Sequence, residues 1–273
     1  LAGEASLKSN NPAAAAEQFE KAAAIDPANL ALQTQLGLSL FASGDKQKGI
    51  EELQANVNAD PKQIHADVSL AVLYLQERQY DKALEALLKL DNKLAKEDPF
   101  VHELRGVAYI GKNDPVNARL SFERALALDP SLASSAINLA QLDLREKKPA
   151  MAKKRLERAL EKKPNDLSVT FAPANLLQGE GNEKAFLALM NQSVKAHPKL
   201  AKPHVRIAQY YLNKNQPKLA LASAQAALNA EDDNPDALAT MGNAQLALGN
   251  PEGALTTLKR LAAHSPGSAS SHY

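Results

Sequence analysis

Gln141, Asn175, Gln209 and Asn243 follow one another at intervals of 34 residues. A carboxamide both donates and accepts hydrogen bonds. Such a ladder can therefore pair with the backbone of an extended segment without asking for a particular side chain. Asn138 and Arg206 stand three residues before two of its rungs, and Arg145, Phe171, Lys202 and His204 lie close by in the chain. This set can recognise a partner, but it is not a pattern for making or breaking bonds. There is no His-Glu-x-x-His pair, no Gly-x-Ser-x-Gly elbow and no phosphate loop. Gly179-Glu180-Gly181 follows no strand pattern and reads as a turn. None of the six His residues is paired at i, i+4, and there is no Cys. That removes a thiol nucleophile, a disulfide framework and a Cys-ligated zinc. We read the chain as non-catalytic, with no catalytic residue, no metal and no cofactor.

Charge and hydropathy narrow the partners. In 273 residues, 32 Lys and Arg face 31 Asp and Glu, for a net charge of +1. Nucleic-acid binders usually carry a basic domain or stripe, so no nucleic-acid partner is expected. No run approaches the ~18 apolar residues a membrane span needs. We expect no transmembrane segment in this chain, and any lipid anchor would lie upstream of Leu1. Aromatic residues make up 4% while Ala, Leu and Lys abound, which favours helices over sheets.

The elements that must position the ladder come from an internal repeat. Pro27, Pro61, Pro130, Pro164, Pro198 and Pro266 fall on one ruler of 34 residues, with one extra residue between 61 and 130. Ala95 and Asp232 occupy the skipped marks. Ten residues after the marks, or eleven after Ala95 where the extra residue falls, runs a column of small residues: Gly3, Gly37, Ala71, Gly106, Ala140, Ala174, Ala208 and Gly242. A second column reads Ala15, Gly49, Ala83, Ala118, Ala152, Phe186, Ala220 and Ala254, small at all but Phe186. A bulky column reads Phe19, Leu53, Leu87, Phe122, Leu156, Met190, Ala224 and Leu258. Pro12, Pro115, Pro149, Pro217 and Pro251 share a place that suits the first position of a helix, where the missing N–H is harmless. Each unit therefore reads as helix A, tight turn, helix B, loop. Small residues mark where the two helices cross closely.

A 34-residue helix–turn–helix unit with this small, small, bulky, Pro pattern resembles the tetratricopeptide repeat. The resemblance implies an all-α fold, a right-handed α-α superhelix or solenoid of about eight units. They would form a single array over 1–273, with units ending near 27, 61, 95, 130, 164, 198, 232 and 266. The family's large aromatic early in helix A is replaced here by Gln33, Asp67, His102, Ala136, Thr170, His204 and Leu238. In this family helix A lines a concave groove that holds extended peptides. The resemblance thus makes Asn138, Gln141, Arg145, Phe171, Asn175, Lys202, His204, Arg206, Gln209 and Asn243 the partner-binding residues. Lys202, Arg206 and Asn175 imitate part of the family's carboxylate clamp, without its full pattern. Upstream in the ladder column, Leu38, Val72 and Val107 are aliphatic and suit a core between A helices.

The array has irregular places. Pro173 sits inside a helix A and Phe186 takes a small-residue place. This reads either as a kink repaired by a register shift onto Ala185 or as a bend that shapes a pocket. Lys96-Glu97-Asp98 carries the extra residue and reads as a loop adjustment. Glu231-Asp232-Asp233 reads as a solvated loop. Asn191-Gln192-Ser193 matches a glycosylation acceptor but falls inside a helix. Leu1 opens in mid-helix and the tail after Pro266 stops early, so we expect a segment of a longer array, or one capped by self-association.

The stretches 118–126, 138–143 and 208–212 resemble bacterial periplasmic tetratricopeptide lipoproteins of PEP-CTERM/exosortase exopolysaccharide systems. This implies an envelope scaffold for export or protein sorting, periplasmic, with a cytoplasmic site as the alternative. Rival functions are a polysaccharide-binding module of the export machinery and a regulatory domain of a larger enzyme. Sugar binding needs aromatics such as Phe41, Tyr74, Tyr109 or Tyr211 open in the groove. Three of these sit three residues after the small column, a packing place, which favours a protein or peptide partner. The close-contact column carries a prediction: Ala140→Trp should lower stability by roughly 1–3 kcal/mol through overpacking. Denaturant unfolding measures it, and an unchanged midpoint would remove the alignment.

Overall fold

The computed structural model describes residues 2–59 and 64–264. Pro61 and Pro266, two of the ruler marks, and the tail from Gly267 lie outside the described residues. Among the described residues there are sixteen α-helices and no strand, so the all-α expectation holds. The chain divides into two compact units, 1–152 and 153–273. The first holds α1 (Ala2–Lys8), α2 (Pro12–Ile25), α3 (Leu30–Ser43), α4 (Lys46–Ala59), α5 (Ile64–Gln76), α6 (Tyr80–Asp91), α7 (Pro99–Gly111), α8 (Pro115–Leu128) and α9 (Ala133–Arg145). The boundary falls inside α10 (Pro149–Lys162). The second unit continues with α11 (Leu167–Gly179), α12 (Glu183–Ala196), α13 (Ala201–Asn213), α14 (Pro217–Ala230), α15 (Pro235–Ala247) and α16 (Pro251–His264). Odd-numbered helices are the A helices and even-numbered ones the B helices.

The A–B turn is built the same way eight times. Asn10, Gly44, Arg78, Asn113, Lys147, Gly181, Asn215 and Gly249 all have positive φ. One residue later the chain turns back, and its N–H bonds a carbonyl five residues upstream, as from Asp45 to Leu40 and from Asp114 to Tyr109. This is the Schellman arrangement, whose left-handed residue favours Gly or Asn. Arg78 and Lys147 accept that conformation without either advantage. Pro12, Pro115, Pro149, Pro217 and Pro251 open B helices, as their column implies. Asn11, Asp114 and Asn182 cap three of the B helices by accepting backbone N–H bonds from Ala14, Asn117 and Ala185.

All sixteen positions of the two expected close-contact columns are buried. The glycines show why. A Cβ on Gly3 would meet Phe19, on Gly37 Leu53, on Gly106 Phe122 and on Gly242 Leu258. Each partner lies sixteen residues on, in the bulky column of the following B helix. In the first unit these contacts continue into a core of Phe41, Leu53, Leu70, Tyr74, Leu87, Leu90 and Val101. Leu38 and Val72 pack against it, half-buried, as their aliphatic character suggests, while Val107 is exposed.

The second unit centres on Ala174, Phe186, Leu189, Met190, Ile207 and Tyr210. Here the structure corrects the register shift expected at Phe186. Phe186 is fully buried in the small-residue place itself, and Ala185 is left half-exposed. The ring is accommodated by stacking on Tyr210, with centroids 4.5 Å apart and planes at 27°. α11 runs through Pro173 as one helix. Among the described residues no helix is long and apolar enough to cross a membrane.

Gly49 supplies a test of the crossing. Seven other units hold Ala or Phe there, and Ala favours helix over Gly by about 1 kcal/mol. Yet a Cβ on Gly49 would stand 2.5 Å from the Gly37 carbonyl oxygen and 2.7 Å from the Phe41 nitrogen, backbone atoms that cannot swing aside. Gly49→Ala should therefore destabilise by about 1–3 kcal/mol in urea unfolding. A stability equal to or above that of the parent would show that α3 and α4 do not approach so closely.

Candidate binding face of the A helices

The candidate residues stand on four A helices. Asn138, Gln141 and Arg145 belong to α9 in the first unit, with Gln141 and Arg145 exposed and Asn138 half-buried. The other seven belong to the second unit, on α11 (Phe171, Asn175), α13 (Lys202, His204, Arg206, Gln209) and α15 (Asn243). All seven are exposed or half-exposed. The close-contact column forces this. Ala174, Ala208 and Gly242 are turned into the helix crossing and buried, so the residue after each, about 100° further round the helix, faces outward.

The structure joins two pairs of these residues across neighbouring A helices. Arg206 donates through Nη2 to the Asn175 Oδ1. The Lys202 ammonium lies 5.3 Å from the centre of the Phe171 ring, within the range of a cation–π attraction. Phe171 itself leans on the Phe186–Tyr210 core. The Arg206 Nε is buried and lacks a hydrogen-bond partner among the described residues. Gln209 and Asn243 continue the face on α13 and α15. His204 is half-buried, and burial lowers its imidazole pKa from the ordinary 6.5.

The aromatics proposed for sugar contact are placed otherwise. Phe41 and Tyr74 are buried in the first core. Tyr109 and Tyr211 are half-buried against the Phe122 and Phe186 cores. They pack, as their position after the small column implies.

The sequence did not disclose the polar clasps that join residues of neighbouring helices. Asp67, only 2% exposed, receives two hydrogen bonds from Lys93 at 2.7 and 2.8 Å. The fully buried Asp143 pairs with Arg119 at 2.8 Å, which also reaches Glu146 at 2.9 Å. Asn56, fully buried, donates to the Leu30 carbonyl at 2.7 Å and to Thr34. Glu97, from the extra-residue segment, takes two bonds from Arg124 and one from His102 Nε2. Arg124 holds the Glu97 carboxyl at about 2, with His102 adding to the effect. The loop adjustment expected there is thus also an ionic latch.

The acidic triplet is likewise latched rather than merely solvated. Asp232 and Asp233 take bonds from Arg260, while Glu231 accepts from the Ala201 backbone N–H and from Asn234. Glu97 to Arg124 and Asp233 to Arg260 are both steps of 27 residues, four repeats apart. That recurring offset of opposite charges was the signal available in the sequence.

Comparison with known proteins agrees with this geometry. Three models described as tetratricopeptide repeat match residues 1–64, 45–100 and 211–272. The chain carries tetratricopeptide repeats. Its fold is that of tetratricopeptide-repeat solenoids, and such repeats are generally non-catalytic scaffolds for protein–protein interaction. Among solved structures, a tetratricopeptide repeat protein from Parabacteroides merdae is similar over 89% of this chain and 96% of its own, at 17% identity and a TM-score of 0.62. Yeast Tom70 is similar over 93% of this chain and 55% of its own, at 20% identity and a TM-score of 0.70. A thermophilic tetratricopeptide protein of Thermus thermophilus is similar over 64% of this chain and 95% of its own, at 22% identity and a TM-score of 0.54. At these identities the likeness is one of fold. No curated protein matches the chain.

His204 gives the repeat face a pH signature. Its folded pKa lies below the unfolded 6.5, so the neutral imidazole's contribution is present above pH ~6.5 and is lost as the pH falls below it. The His204 ring should titrate below 6.5 in NMR. His204→Gln should lose less thermal stability than the parent between about pH 7.5 and 5.5. Equal losses, with a ring midpoint at or above 6.5, would contradict the burial.

Proposed function

We propose that this tetratricopeptide array is a non-catalytic scaffold that holds an extended peptide or partner segment on its A-helix face. The observation that carries the proposal is the second unit's face. There, Arg206 with Asn175 and Lys202 with Phe171 set two cations on the same face as the outward amides. A guanidinium N–H and two or three carboxamides suit the carbonyls and N–H groups of an extended backbone. Lys202 and Arg206 add attraction for a carboxylate. The packed aromatics weigh against sugar as the main ligand.

For the setting of this scaffold, we propose a bacterial cell envelope, in exopolysaccharide export or PEP-CTERM protein sorting. What supports it is the resemblance of residues 118–126, 138–143 and 208–212 to the periplasmic lipoproteins of those systems.

Gln141, Asn175, Gln209 and Asn243 changed together to Ala should leave the fold intact, because all four are exposed or half-exposed. The change should weaken partner binding by at least about tenfold, the effect of roughly one or two lost hydrogen bonds. Side-by-side capture from the native organism's lysate by parent and variant, read by mass spectrometry, names the protein lost with the variant. Titration of that protein then gives the affinity ratio. An unchanged ratio would return the ladder to ordinary surface.

A further inference from the structure

We draw no further inference here: the strongest candidate, the cleft of about 130 Å³ between α4, α5 and α6 lined by Val57, Asp67, Leu70, Tyr74, Lys82 and Lys89, carries nothing, because its charged side chains already answer one another within the unit, Asp67 with Lys93, Glu85 with Lys89 and Lys82 over the Tyr74 ring, and nothing in the structure shows what would fill it.

Discussion

The contact on which every unit depends is a small residue on helix A beneath a bulky one sixteen residues later on helix B. Where the small residue is glycine, as at Gly3, Gly37, Gly106 and Gly242, even a methyl group would collide with Phe19, Leu53, Phe122 or Leu258. The helices therefore cross at a distance that only small side chains permit, and dispersion contacts there are dense. Sixteen residues is also the separation that a tight turn imposes. The left-handed residue and the returning N–H of the Schellman turn hold helix B against helix A at one register. With crossing and turn both fixed, the A helix can show the solvent only its remaining face. The candidate binding residues occupy that face.

The clasps set one unit's surface apart from the other's. In the first unit, places where the family carries an early aromatic are held by Asp67 and His102, and each is matched by a partner later in the chain or in the loop before it. A buried carboxylate such as Asp67 or Asp143 is tolerated because it is paired. Removing one partner of such a buried pair typically costs about 3–5 kcal/mol. These clasps engage Lys93, Arg119 and Arg124. In the second unit Phe186 stacks on Tyr210 where a small residue usually stands, and Lys202 and Lys214 lie over the Phe171 and Tyr210 rings.

For function, the combination of repeated amides and adjacent cations points to recognition. No pair of titratable groups in the face is arranged as acid and base. Arg206, donating to Asn175, fixes a guanidinium beside an amide on that face. The aromatics that could have stacked on sugar are used instead as packing, because a residue three places after a buried small residue lies on the same inward side of the helix.

Much of the fold was legible in the sequence for a simple reason. A 34-residue period repeats each structural requirement eight times, so a column of small residues or of prolines stands out where one instance would not. The A–B turns, the helix starts, the close-contact columns and the outward setting of the amide ladder all follow from that periodicity. Single events were less legible. Phe186 broke its column, and whether the helix would shift register or the ring would be housed depended on Tyr210, twenty-four residues away on α13. The latches of Glu97, Asp143 and the 231–233 triplet depended on which long side chains could reach across a unit, which a local pattern does not encode. Periodicity determines where helices lie and which side faces in. Only the tertiary structure decides which polar atoms meet, because a hydrogen bond requires its partners to be placed within a few tenths of an ångström, whereas hydrophobic burial requires only the correct side of the helix.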